Sequence, residues 1–422
     1  MTRSIKLAVA AAMVLGTTSA FATNGDTLIG LGAKTRGMGG VGIGMSHGAE
    51  SALANPALIT SVKGTEVSFG GTIFMPKVKY DAGVGAGFQS SDADMNVIPE
   101  VSIATEAIDN LFYWGIGMWG TAGMGVDYRD AGDSQYGGNG TMQMVTNLQL
   151  MQFGVPLAIK TNGFSIGLTP IIQYGALDIN YKLPDVMSGF TNPATSVGAG
   201  IAQDLAFGYN VGASFDFGTV GVDGLTLGAV YKSEIEMEYK QQLSSATQPF
   251  VDYGIFTAPM SDKLTQPAEI GVGVSYKYEG STIAFDYKQI KWGSAKGYED
   301  FGWEDQNVYA VGYEFAMDNW AARVGFNYAE NPIKEWDGTS PAGATLNMFN
   351  LLGFPAVVEQ HYTIGGTYAF TKAVSVDGAF TYAPETEETY NTAALASMSM
   401  GGPEATVKHS QYGVSVQLNY GF

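Results

Sequence analysis

Tyr412-Gly413-Val414-Ser415-Val416-Gln417-Leu418-Asn419-Tyr420-Gly421-Phe422 closes the chain. Successive side chains of a strand point to opposite faces. Extended, this stretch puts Tyr412, Val414, Val416, Leu418, Tyr420 and Phe422 on one side. Gly413, Ser415, Gln417, Asn419 and Gly421 fall on the other, so one face is apolar and its reverse small or polar. The pattern recurs upstream. Leu205, Phe207, Tyr209, Val211, Ala213, Phe215 and Phe217 form one row, and Gly208, Asn210, Gly212, Ser214 and Asp216 the other. Ile270 to Tyr278, Ile283 to Tyr287, Tyr309 to Phe315, Val324 to Tyr328 and Tyr362 to Phe370 repeat it. A soluble sandwich alternates too, but here Tyr and Phe gather toward strand ends, as in the aromatic girdles of membrane barrels.

Composition agrees with a sheet rather than with membrane helices. Hydrophobic residues make up 45% of the 422 and charged residues 14%. A spanning helix needs about 20 consecutive apolar residues. Beyond the N-terminus the longest apolar stretches, such as Met348 to Val358, are broken by Asn350, Gly353 and Pro355. The N-terminus reads as an export signal. Arg3 and Lys6 precede the short apolar core Leu7 to Leu15, and Ala20-Phe21-Ala22 fits a small-x-small cleavage site. Residues 1–22 are therefore expected to be removed, with Thr23 as the mature start. Losing Arg3 and Lys6 takes the formal charge from -19 to -21. Nucleic acid is not an expected partner, since phosphate binding needs Lys/Arg patches. With no cysteine there is neither a disulfide framework nor a thiol nucleophile.

Fourteen strands can be read, beginning near Thr65, Asn96, Leu111, Thr141, Gly163, Gln203, Leu225, Pro267, Ser281, Asp305, Trp320, Val358, Val374 and Val407. Short links such as Asp109-Asn110, Thr161-Asn162, Glu279-Gly280 and Asp318-Asn319 alternate with long ones around 81–95, 121–140, 183–202, 240–266, 293–304, 330–357 and 385–406. Short periplasmic turns and long external loops are the rule for outer-membrane barrels. An even count returns both ends to the periplasmic side. The predicted fold is an all-β transmembrane antiparallel barrel over 64–422. The C-terminal aromatic Phe422 resembles the signal read by the barrel-assembly machinery, an expected partner along with outer-membrane lipid. Residues 23–63 do not alternate. They are glycine-rich yet carry Leu28, Ile29, Leu31, Met38, Val41, Ile43, Leu53, Leu58 and Ile59, too apolar for a free tail. They are expected to fold into the lumen as a hatch.

Catalytic and cofactor signatures are weak. Gly37 to Gly42 and Gly115 to Gly120 each match G-x-G-x-x-G, but neither is followed by the helix that a dinucleotide site requires. His47, His361 and His409 lack metal-ligand spacing, and no G-x-S-x-G elbow occurs. The expectation is a non-enzyme without metal or cofactor, with the histidines of the strands on polar faces.

Gly32-Ala33-Lys34-Thr35-Arg36-Gly37-Met38-Gly39-Gly40, followed by Ala52-Leu53-Ala54-Asn55-Pro56-Ala57-Leu58, resembles the hatch of the FadL/TodX family of outer-membrane transporters. Gly120 to Gly125, Asn331-Pro332-Ile333 and Pro355 to His361 extend the resemblance over the mature chain. His47-Gly48-Ala49-Glu50 departs from it, standing where the family usually has an Asp-rich stretch. The resemblance implies a fourteen-stranded barrel that passes long-chain fatty acids or aromatic hydrocarbons. Substrate is captured at external loops, held beside the hatch and released sideways at a kinked third strand.

On that reading Arg36, Gly37, Asn55, Pro56 and Ala57 are hatch residues. Asn55-Pro56-Ala57 is expected to anchor the hatch next to the third strand, with Pro56 fixing a corner and Asn55 bonding nearby backbone. Met348, Phe349, Leu351, Leu352 and Phe354 are expected to form an apolar capture groove in the 330–357 loop, since apolar patches often mark binding sites. Arg323 and Lys288, on inward rows, are candidate head-group cations, with a charge network to Glu314 or Asp286 as the alternative. Gly115, Gly117 and Gly120 mark the candidate lateral opening, because strand glycines often mark bends. A monomeric transporter of hydrophobic compounds is the leading reading. A diffusion porin for polar solutes is the alternative, and would lack a hatch.

Overall fold

The computed structural model describes residues 23–131, 138–185 and 194–422; the expected signal, 1–22, lies outside them. All fourteen strands form: β1 Thr65–Asp81, β2 Asn96–Ile108, β3 Phe112–Asp127, β4 in two pieces (Val145–Gly154 and Leu157–Thr161), β5 Phe164–Leu183, β6 Ala202–Asp216 and β7 Leu225–Lys232. β8 Glu269–Tyr278, β9 Ser281–Ile290, β10 Gln306–Ala316, β11 Trp320–Ala329, β12 Gln360–Ala369, β13 Val374–Asn391 and β14 Glu404–Gly421 complete the wall. Neighbours in sequence pair antiparallel, and β14 returns to β1 from Gly421↔Glu66 to Thr406↔Asp81. The sheet is a closed barrel. Closure joins the first and last strands and pairs most of the wall's backbone internally, as a bilayer demands.

The apolar rows face out. Val416 is 58% exposed and Leu418 47%, against 2% for Ser415 and 3% for Gln417. β4 breaks at Val155-Pro156, where proline has no N–H to give a neighbour. Asn162-Gly163 (φ 46° and 79°) and Glu279-Gly280 (φ 45° and 85°) turn with positive φ at both centres, as tight type I′ hairpins require. The first of these falls one residue later than expected, because Thr161 still pairs with Phe164.

Thr23 to Val62 lie within the barrel as the expected hatch, almost wholly buried. Short helices α1 (Ala33–Gly37) and α2 (Ser51–Ala54) are followed by a 3-10 turn, Pro56–Ser61. At the long-loop end, α3 (Leu243–Asp252), α4 (Pro341–Gly353) and α5 (Ala393–Ser397) fold over the mouth. β13 and β14 run on above the wall to Asn391 and from Glu404, so the loop expected over 385–406 is much shorter.

Candidate functional site

The wall is incomplete at one place. β2 and β3 pair from Ile108↔Phe112 to Glu100↔Trp119, and their pairing ends there. Above it, Asn96 to Pro99 pair with Phe74 to Gly71 of β1, while β3 continues along β4 with a register shift between Gly120 and Ala122. From Trp119 to Asp127 every residue of β3 is buried. The strand has lost its in-out alternation and leans into the lumen. The hatch takes up the vacated ladder: Thr27 pairs with Ala122, and the Gly123 amide donates to the Asp26 carbonyl at 3.0 Å. Asp26 is fully buried and accepts from Tyr298 and Thr27. Burial pushes its carboxyl up to about 6 against those bonds.

The three glycines expected at the opening lie on this strand in different settings. Gly120 stands at the register shift, and a Cβ there would come within 2.6 Å of Ile98 Cγ2. Gly115 and Gly117 lie in the paired half. Gly117 makes room for the Trp119 ring, 1.9 Å from where its Cβ would be, and Trp119 Nε1 donates to Ser102 Oγ at 2.8 Å.

The hatch is tied to the rim of the gap. Arg36 pairs with Glu100, the last β2 residue matched to β3, and donates to Thr72 Oγ1 at 2.5 Å. The Gly32 amide adds a 2.8 Å bond to Glu100. Across the lumen the wall meets the hatch backbone directly. A Cβ on Gly228 would stand 1.8 Å from the Ile43 carbonyl oxygen, one on Gly273 2.5 Å from the Gly44 nitrogen, and one on Gly325 2.1 Å from the Gly39 nitrogen. Gly37 meets Gly365 of β12 in the same way. Between these contacts Asp286 of β9 accepts the amides of Gly42 (2.7 Å), Ile43 (2.7 Å) and Gly44 (3.3 Å).

Asn55 behaves as a corner. Its Oδ1 accepts the Ala57 amide at 3.1 Å, and its Nδ2 donates to the carbonyls of Ile43 (2.8 Å) and Ala213 (3.2 Å). Its location sharpens the expectation. Asn55 and Pro56 press on Gly212 of β6 and Gly167 of β5, and the Pro56–Ser61 turn that follows also meets β3. Only glycine-sized sites admit a proline ring and amide that close to the wall. Sequence reading named Asp286 only as a charge-network partner and missed its hold on the hatch amides, as it missed this set of inward glycines; the signal was a glycine on the small-residue row of strand after strand.

Beside the gap, with Thr121 of β3 in its lining, lies a narrow cavity of about 80 Å³. Leu28, Ile43, Leu53, Val230, Ile235 and Val308 give it apolar walls, and Thr27, Thr121, Lys232, Gln266, Glu269, Asp286, Lys288 and Asn327 add polar groups. Lys288 therefore lines the cavity. It is engaged, however: Lys288 and Lys232 both approach Glu269 Oε2, at 3.4 and 3.3 Å. Arg323 is not in the cavity lining. It donates to Glu314 and Thr367, both at 2.7 Å, and lies 3.9 Å from Asp377. The network alternative describes it, and its charge is already compensated.

The expected capture groove is also corrected. Met348, Phe349, Leu351, Leu352 and Phe354 all point inward and are buried. Phe349 packs edge-on against Tyr181 (6.1 Å), Phe250 (5.4 Å) and Phe301 (6.3 Å). α4 starts on Pro341 with Ser340 capping Gly343 at 3.1 Å. The Gly353 carbonyl then ties it to Thr146 of the bent wall at 2.6 Å. Three loops supply one another with an apolar core, so these side chains close the mouth instead of lining an open groove.

A family model described as outer membrane protein transport protein (OMPP1/FadL/TodX) matches residues 8–422. The chain belongs to this family. It is 22% identical over 379 residues to a 47 kDa outer membrane protein of Pasteurella multocida, covering 83% of this chain and 86% of that one. The fold is similar to that of a Pseudomonas aeruginosa FadL homologue, with TM-score 0.70, 17% identity, and 94% and 100% of the two chains covered. It is also similar to the Pseudomonas putida toluene transporter TodX, with TM-score 0.67, 17% identity, and 95% and 100% covered. The family is one of outer-membrane transport proteins, and a closed barrel with outward apolar rows fits that membrane.

Proposed function

We propose that this protein carries hydrophobic compounds passively across the outer membrane, from its external loop cap, through the cavity beside the hatch, and sideways through the gap between β2 and β3. The observation that carries this reading is the end of β2–β3 pairing at Glu100↔Trp119, with the hatch residue Thr27 taking the free ladder of Ala122. Thr27 and Thr121 both line the cavity, so the cavity and the gap are contiguous. A polar-solute porin fits less well, because the lumen is filled by the hatch. Cavity, hatch and gap belong to one barrel, so one chain is sufficient. Aromatic hydrocarbons and fatty acids are the candidate cargo, taken from what its family and structural neighbours carry.

The test is a reversible lock. The chain has no cysteine, so Thr27→Cys with Ala122→Cys introduces one pair across the hatch–β3 ladder. Oxidation should lower uptake of a radiolabelled hydrophobic compound by cells, and reduction should restore it. Equal uptake by the oxidised and reduced forms would refute lateral release here.

A further inference from the structure

We infer that the cavity favours ligands with an apolar body and one uncharged, hydrogen-bond-donating head, a phenol or an alcohol, over carboxylates. This rests on the proposed transport of hydrophobic compounds and narrows the cargo.

Charge comes first. Among the lining residues, Lys232 and Lys288 are the cations and Glu269 and Asp286 the carboxylates, so the formal charges cancel. Both ammonium groups already approach Glu269 Oε2, and Asp286 is held by three hatch amides. A ligand carboxylate would give this enclosed lining a net negative charge, and buried charge is costly unless paired. An uncharged head incurs no such penalty.

Hydrogen bonding gives the second argument. Thr121 Oγ1, Gln266 Oε1 and Asn327 Oδ1 are buried without a hydrogen-bond partner in the protein, and all three residues line this cavity. Their residues are 8%, 9% and 1% exposed. Each amide nitrogen already has a partner of its own: Gln266 Nε2 donates to Thr27 Oγ1 at 3.0 Å and Asn327 Nδ2 to the Gly39 carbonyl at 3.1 Å. The atoms left without any partner are two acceptor oxygens and one hydroxyl. Buried polar groups are normally paired, and a site holding unpaired ones discriminates strongly by what the ligand offers them. A hydroxyl head supplies a donor. An ionised carboxylate only accepts. Thr121 is the β3 residue skipped between the pairs Gly120↔Met151 and Ala122↔Leu150, so the choice is made at the gap.

Three small ligands of similar size, suited to a cavity of about 80 Å³, test this on the full chain refolded in detergent: phenol, toluene and benzoate. Calorimetric titration at about pH 7.5 leaves the phenol neutral and the benzoate ionised. The phenol should bind about tenfold tighter than the hydrocarbon, as one well-made hydrogen bond allows, with the benzoate weakest. Thr121→Val should lower the phenol-to-hydrocarbon ratio by roughly threefold, while Thr121→Ser retains it. A benzoate that binds as tightly as the phenol overturns the inference. So does a phenol no tighter than the hydrocarbon, or a ratio indifferent to Thr121→Val. If none of the three binds, the transport reading falls with it; if the hydrocarbon binds and only the ranking fails, the selectivity alone is wrong.

Discussion

Replacing Asp286 by alanine should loosen the centre of the hatch without unfolding the barrel. Asp286 is 3% exposed and accepts the amides of Gly42, Ile43 and Gly44 at 2.7, 2.7 and 3.3 Å. Alanine leaves three buried N–H groups without that acceptor. Each such group costs about 1–3 kcal/mol. Taking the low end for all three, since the longest bond is weak and the segment can relax, gives roughly 3 kcal/mol. That corresponds to about a hundredfold rise in the open population of this segment. Hydrogen exchange of the three amides, followed by mass spectrometry on the detergent-solubilised protein, should quicken by about that factor, because protection reports the local opening free energy. Amides of β14, which is paired with β1 from Thr406 to Gly421, should be unaffected. Asp286→Asn, which keeps one carbonyl acceptor, should fall between wild type and alanine. Unchanged protection at 42–44 in the alanine variant would refute the idea that this carboxylate holds the hatch.

Two other predictions concern the wall and the plug. Val416→Arg places a charge on an outward row that is 58% exposed in the isolated chain; near mid-membrane it should cost about 2–4 kcal/mol or block assembly, read as loss of heat-modifiable mobility. Deleting residues 24–60 should keep the barrel but give large, unselective conductance in planar bilayers, because a barrel of this size is open unless filled; conductance no higher than that of the parent would mean that this segment is not the plug.

Alternation alone carried the barrel. Whether Val416 and Gln417 face opposite ways depends only on neighbouring Cα–Cβ directions, a property of consecutive residues. Strand number, tight turns and outward rows were therefore legible in the chain, as was the oddity of 23–63, whose apolar content rules out a solvated tail. Asn55 as a corner was legible too, since an Asx turn is closed by residues two apart. The place where that corner rests was not: Gly167 and Gly212 lie more than a hundred residues away and meet it only because the barrel closes. The groove expected from Phe349 and Leu351 became a core for the same reason. Apolar loop residues seek cover, and whether a neighbouring loop or a ligand provides it depends on where Tyr181, Phe250 and Phe301 arrive. The glycines of β3 hinted at a bend, but the gap itself is a difference of register between three strands and the hatch. No stretch of sequence encodes that difference locally. It exists once Glu100 is held by Arg36 and β3 has turned inward to follow β4.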